Sequence, residues 1–254
     1  MRLFSYLELV RNLVLKDLKL KYRDSAFGFL WSLANPLLLI VVYSFVFTQM
    51  IRVDIPSFPY FLLVGILPWN FFAASLMMST GSVIDNANLI RKVWLPIEVF
   101  PVATVLFNLA QFLLALIVLL PAAMLLFGAA FSWALAAFVP LLILHILFTL
   151  GLCFFFSTAT VFFRDVRHFT EIFLMLLFWL TPIVYDIQRL PRSLQSAVLM
   201  NPASLFITGY QDIFYRQALP DPWSMTALCL VSLVTLFAGY TVFRSFKLRF
   251  AEEA

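Results

Sequence analysis

At 254 residues the chain is 63% hydrophobic and only 12% charged, against roughly half apolar and a quarter charged for a soluble domain, so water is excluded as its main solvent. The formal charge of +4 sits at the ends of apolar segments instead of on one aromatic-laced face, which argues against a nucleic-acid partner and for membrane orientation. Cys153 and Cys229 each lie inside an apolar run, as small packed residues do, and not in a disulfide framework or a metal-ligand pattern.

The first 24 residues carry six basic side chains without the compact apolar stretch and small-residue cleavage site of a signal peptide, so this segment is expected to be retained. Leu3, Leu7, Val10, Val14 and Leu18 form one helical stripe, and Glu8, Asn12, Lys16, Lys19 and Arg23 the opposite one. The spacing predicts an amphipathic helix over residues 1–25 lying on the cytoplasmic membrane surface, with packing against the protein's own domain as the alternative. Residues 26–247 then read as one membrane domain with six transmembrane helices, at 29–51, 60–80, 99–127, 133–163, 169–185 and 223–243, followed by a short cytoplasmic tail over 248–254. The runs are continuously apolar rather than alternating, so the fold class is all-α and polytopic, not a barrel. Gly65 and Pro68 predict a kink or break in the second span, and the length of the fourth implies tilt or extension beyond the bilayer. Thirteen Lys and Arg fall on the side of both termini and four on the other, which makes both termini cytoplasmic. The outward segment from Asp186 to Pro222 carries scattered apolar residues together with Pro191, Pro202 and Pro220. It is expected to form short helices lodged in the outer leaflet.

None of the six spans carries Asp, Glu, Lys or Arg in its interior, which argues against proton relays, ion coupling and voltage sensing. His145 is then either a helix-to-helix hydrogen-bonding residue or a proton carrier. With seven glycines and no GxxxxGK[ST] loop, the chain has no P-loop with which to hold ATP, so any motor is a separate polypeptide. No metal-ligand spacing and no Ser/His/Asp grouping supports an enzyme.

Force from such a motor must enter through cytoplasmic loops. Leu89, Ile90, Val93, Trp94 and Leu95 interleave with Arg91 and Lys92 ahead of Pro96, which reads as a short docking helix; the alternative is an interfacial helix with Trp94 at headgroup level. Arg164, Asp165, Arg167 and His168 form a second charged turn, either a docking contact or a solvated positive-inside loop. The aromatic content is high, at 17% of the chain. Phe61, Gly65, Trp69 and Phe72 share one helical face, with Asn70 beside it, while Trp31 and Asn35 lie a turn apart ahead of Tyr43 and Phe47. Trp31, Tyr43, Phe61, Trp69 and Phe72 are candidate lining for a substrate path, because flat apolar rings stack against sugar faces as they do against bases. Ordinary packing is the alternative.

These residues resemble the permease subunits of type-2 ABC exporters for bacterial polysaccharides, the O-antigen, capsule and teichoic acid exporters. The resemblance is carried in order by Leu30-Trp31 with Asn35-Pro36, by the run from Gly65 to Phe72, by the run from Leu89 to Pro96, by the run from Phe163 to Phe169, by the run from Trp179 to Tyr185, and by Asn201-Pro202. It implies a homodimer in the bacterial cytoplasmic (inner) membrane with one channel between two copies and short re-entrant helices before the last span. It further implies two nucleotide-binding ABC ATPase subunits that use ATP and Mg, with no cofactor on this chain, and a lipid-linked polysaccharide as cargo among membrane lipid. The ATPase-docking residues would be Leu89, Ile90, Arg91, Lys92, Trp94, Arg164 and Asp165. Family members often carry Phe where Trp94 stands. Competing readings keep the transporter but change its cargo to a small molecule or lipid, or make the chain a membrane-embedded glycan- or lipid-modifying enzyme built on Asp165 and His168.

Overall fold

The structure, a computed structural model, describes residues 2–23, 30–92, 95–129 and 132–250. Among them the backbone forms helices and no strand. Helix α1 (Arg2–Tyr22) buries Val10 and Leu13 against Val99, Phe100 and Ala103 of α5 (Val99–Phe127). Further along, Lys21 lies 5.7 Å over the ring of Phe107 and donates to Gln111, so α1 and α5 run side by side in the same direction. Of the apolar stripe read from the sequence, Val10 and Val14 are therefore covered by the chain itself, while the side chains of Leu3 and Leu7 lie outside the described residues.

Helix α2 (Leu30–Phe45) is prolonged by a π-helical turn (Val46–Met50) and α3 (Phe58–Ser82) returns beside it, with Phe47 and Phe58 in ring contact at 5.8 Å. The turn between them places Arg52 and Ser57 at positive φ. α3 carries Pro59 in its first turn and continues unbroken through Gly65 and Pro68. It is the axis of the fold: nineteen of its twenty-five residues are buried, against α2, α5, α6, α7 and α9. α4 (Ala87–Lys92) is one short turn before α5, which runs antiparallel to α3, pairing Phe71 with Phe112 and Tyr60 with Phe127.

A 3₁₀ turn (Trp133–Ala137) leads into α6 (Phe138–Phe162), and α10 (Pro222–Phe246) packs along it in parallel. Their contact is set by two glycines. A Cβ on Gly239 would lie 1.9 Å from the Gly151 carbonyl oxygen, and one on Gly151 would lie 2.5 Å from the Thr235 backbone. Small residues at such a crossing let two backbones approach as close as helices in lipid require.

Because α6 and α10 are parallel, the segment between them must carry the chain back to its starting end. It does so with α7 (Val166–Leu180), an extended stretch, α8 (Arg192–Leu199), and α9 (Pro202–Tyr210) with its π-helical extension (Gln211–Tyr215). Five helices among the described residues are long and apolar enough to cross a membrane. The predicted span at 169–185 is not one of them: α7 has fifteen residues, about 22 Å at 1.5 Å per residue. It stops because Thr181 precedes Pro182, which disfavours the helical region, and Thr181 adopts φ −101°, ψ 135°. The chain then folds inward, burying Ile183 and Val184. Pro182 accepts a 2.7 Å bond from Gln211 Nε2, and Asn201 Nδ2 donates to Thr181 Oγ1 at 3.1 Å. α9 is lodged in the core through Phe206, Ile207 and Tyr210, whereas α8 has no buried residue. Glu171 stands in the second turn of α7 and is exposed, so the expectation of charge-free span interiors holds for the five long helices and not at the start of this shorter one.

Candidate functional site

Two cavities flank the middle of α3. The first, about 320 Å³, lies between α2, α3 and α7 and is lined by Tyr43, Trp69, Asn70, Phe178 and Trp179 among others. Phe178 closes on both predicted aromatics, with ring centroids 6.0 Å from Tyr43 and 5.7 Å from Trp69. Helical spacing explains how: Tyr43 lies one turn beyond Leu39 on α2, and Trp69 one turn from Ile66 on α3, so each helix sends a short row of side chains into the same gap. The wall is mostly aromatic and aliphatic, with the Asn70 carboxamide, the Tyr43 hydroxyl and the indole N–H groups of Trp69 and Trp179 as its polar groups. Around its mouth α2 exposes Leu38, Val41 and Phe45, and α7 exposes Ile172, Met175, Leu176 and Trp179.

Not all the predicted aromatics meet there. Phe61 is fully buried near the amino-terminal end of α3, edge-on to Tyr215 at 5.2 Å. Phe72 is turned toward Phe148, with centroids 5.8 Å apart, and is also buried. From Phe61 to Phe72 the face spans about three helical turns, and different neighbours cover each turn, so one face does not make one lining. His145 stacks on Phe206 at 4.5 Å, with Nδ1 3.3 Å from the Tyr210 hydroxyl. That is the helix-to-helix role.

Trp31 lies elsewhere. It is 57% exposed and lines the second cavity, about 360 Å³, between α2, α3 and α5, with Lys21, Asn35, Asn70, Asn108 and Gln111. Asn70 therefore faces both cavities. The sequence signal for this group was four carboxamides inside apolar spans: Asn35 and Asn70, which stand beside the aromatic candidates, and Asn108 and Gln111, which a search confined to formal charges passes over. Partial burial holds the Lys21 ammonium below the usual lysine range.

The candidate docking residues gather at the end of the molecule where α3 and α6 stop and α5 starts. Leu89, Arg91 and Lys92 are exposed on α4, while Ile90 packs inward against both small clusters at this end. Trp94 lies outside the described residues. Arg164 and Asp165 are exposed on the α6–α7 turn. Lys247 holds Glu98 at 3.0 Å, tying the last turn of the chain to the start of α5. At the opposite end is a polar group that sequence reasoning missed. Arg216 bonds Asp186 at 2.6 Å and Asp212 at 2.7 Å. Burial pushes the Asp212 carboxyl above its usual value and the Arg216 partner pulls it back. No group of three or more His, Cys, Asp or Glu among the described residues is placed to hold a metal ion.

The family model described as ABC-2 type transporter matches residues 8–215. The chain is 37% identical over 252 residues to the O-antigen export system permease protein RfbA of Myxococcus xanthus, covering 98% of this chain and 96% of that one. It is 34% identical to a Klebsiella pneumoniae protein of the same name, covering 98% and 95%. The polysialic acid transport protein KpsM of Escherichia coli is 22% identical over 93% of this chain and 92% of its own. Such matches, over a helical fold, leave one conclusion: this chain belongs to the ABC-2 type transporter family, as a membrane-embedded transport subunit and not an enzyme.

Proposed function

We propose that two copies of this chain form the channel of an ATP-driven exporter that moves a lipid-linked polysaccharide across the bacterial cytoplasmic membrane. The observation that carries the reading is the aromatic cavity of Tyr43, Trp69, Phe178 and Trp179, open on a face where α2 and α7 leave their largest apolar side chains uncovered. A second copy set against that face by a two-fold axis would turn two half-cavities into one conduit. Rings on such a wall offer stacking without fixed hydrogen bonds, which suits a long neutral polymer sliding past. The O-antigen and polysialic acid transport proteins to which the chain is similar point to the same cargo class.

ATP and Mg belong to a separate ABC ATPase, which would seat on α4 and the Arg164–Asp165 turn, at the cytoplasmic end with both termini. α7 and the inward-folded stretch after it complete the fifth of six crossings, and α8 and α9 dip into the outer leaflet. The amphipathic α1 lies along the cytoplasmic part of α5, with Val10 and Leu13 against that helix.

The test is reconstitution. The chain co-expressed with an ABC ATPase from the same genome is expected to co-purify as a two-plus-two complex whose ATP hydrolysis supports export of a lipid-linked glycan, and Trp69→Ala with Trp179→Ala is expected to cut export at least tenfold without changing complex yield. Unchanged export in that double variant would remove the aromatic cavity from the path, and export of a drug or free lipid in place of glycan would transfer the channel to another cargo.

A further inference from the structure

The second cavity, between α2, α3 and α5, is built unlike the first. Asn70 stands twelve residues from the end of α3 at Ser82, and Gln111 twelve from the start of α5 at Val99, roughly 18 Å inside each helix at 1.5 Å per residue. Carboxamides so far inside apolar helices cost free energy unless they are hydrogen-bonded. The carboxamides of Asn35, which is exposed, and of Asn70, which is partly buried, have no hydrogen-bond partner among the described residues, and both line the cavity. Asn108 is buried, and its Nδ2 donates to the Thr104 carbonyl at 2.9 Å and faces the Met78 sulfur at 3.7 Å. Its Oδ1 accepts from no group among the described residues. Lys21, carried in on the end of α1, adds a cation that donates to the Gln111 carboxamide oxygen at the cavity wall, and the Trp31 ring borders the opening.

That set has a chemical meaning. A carboxamide both donates and accepts, as a sugar hydroxyl does. An ammonium in a partly dry site prefers an anion, and charge-assisted bonds to phosphate oxygens are the strong ones. Trp31 adds a flat ring for a sugar face. At about 360 Å³ the cavity falls in the size class of small-ligand sites. We propose that this pocket holds the sugar-phosphate junction of a glycolipid: Lys21 takes the phosphate, Asn35, Asn70, Asn108 and Gln111 take the adjoining sugar, and Asn70, shared with the aromatic cavity, hands the glycan to the conduit. The assignment rests on the export reading, since it makes the pocket the place where the lipid-proximal end of the cargo is gripped.

The experiment uses the full chain with its ATPase in lipid nanodiscs and a radiolabelled short polyprenyl phosphate bearing one N-acetylhexosamine. Competitors are octyl glucoside, the same polyprenyl phosphate without sugar, and inorganic phosphate. Saturable binding is expected, weakened about tenfold by Lys21→Gln, as loss of one charge-assisted bond predicts, and restored by Lys21→Arg. Asn35→Ala with Asn70→Ala is expected to weaken the glycosylated probe about tenfold and the sugar-free one little. Unchanged affinity in Lys21→Gln and in the double variant would overturn the site, leaving the cavity to water. Equal competition by inorganic phosphate would reassign it to a free anion. If the variants fold poorly, a benzophenone-bearing probe on the unaltered complex decides: labelling of α2, α3 or α5 around the cavity supports the site, and labelling confined to α7 or α10 overturns it. Glycan export by the intact complex is scored separately. Export with variant-insensitive binding sinks the pocket alone, and absence of export sinks the channel reading whatever the pocket binds.

Discussion

α2 and α3 are adjacent, antiparallel and almost equally apolar, yet 72% of the most apolar 18-residue stretch of α3 is buried and 17% of that of α2. Both would be drawn identically on a hydropathy plot. In lipid there is no water to drive apolar side chains inward, so composition reports the solvent and not the packing. Position decides instead. α3 is enclosed by α2, α5, α6, α7 and α9, while α2 lies at the margin with α7 and shows Leu38, Val41 and Phe45 outward.

The sharpest way to break this contrast is to insert bulk where backbones touch. Gly239→Ala would place a methyl group on the Gly151 carbonyl, so its cost is expected at or beyond the roughly 1–3 kcal/mol of ordinary overpacking. Detergent-solubilised Tm and monodispersity would read it. A normal melting profile would mean that α6 and α10 can part without penalty. Next is Phe61→Ala in the enclosed amino-terminal end of α3, for which a loss of about 3 kcal/mol is expected.

Removing Arg216 is expected to cost about 1.5–3 kcal/mol, with a pH signature. Burial already raises the Asp212 pKa, and Arg216 opposes that. In Arg216→Ala the carboxyl rises further, so the variant's stability is highest when Asp212 is protonated and falls as pH climbs through its folded-state pKa. The deficit relative to the parent should therefore shrink in acid, and a pH-independent deficit would show that the ion cluster is not its source.

The smallest effect belongs on the other side of the comparison. Phe45→Ala on the outward face of α2 should change the Tm of the isolated chain by no more than about 0.5 kcal/mol equivalent while weakening self-association, as measured by single-molecule photobleaching in bilayers. A large loss of monomer stability with association intact would show that this face packs within the chain.

How far the site could be read beforehand follows the same division. Tyr43 and Trp69 were legible as path candidates because aromatics at helical spacing stand out, and they do meet, through Phe178. Phe61 and Phe72 share that periodicity and lie in the core, since α9 and α6 cover the turns that carry them. Trp31 and Asn35 were legible as a pair, but their partners Lys21, Asn108 and Gln111 come from two other helices. The end of α7 was written in Thr181-Pro182, and apolar continuity through Tyr185 hid it.

Taken alone, the sequence determined the solvent, the helical class, the approximate helix bounds, the charge asymmetry between the two ends and the absence of a P-loop, because each depends on local composition and period. Only the tertiary structure decided which apolar helix is enclosed, that α6 and α10 meet at two glycines, and that carboxamides from α2, α3 and α5 share one cavity with the lysine of α1. Those outcomes depend on which helices become neighbours, and helices of equal hydropathy carry no local mark of their neighbours.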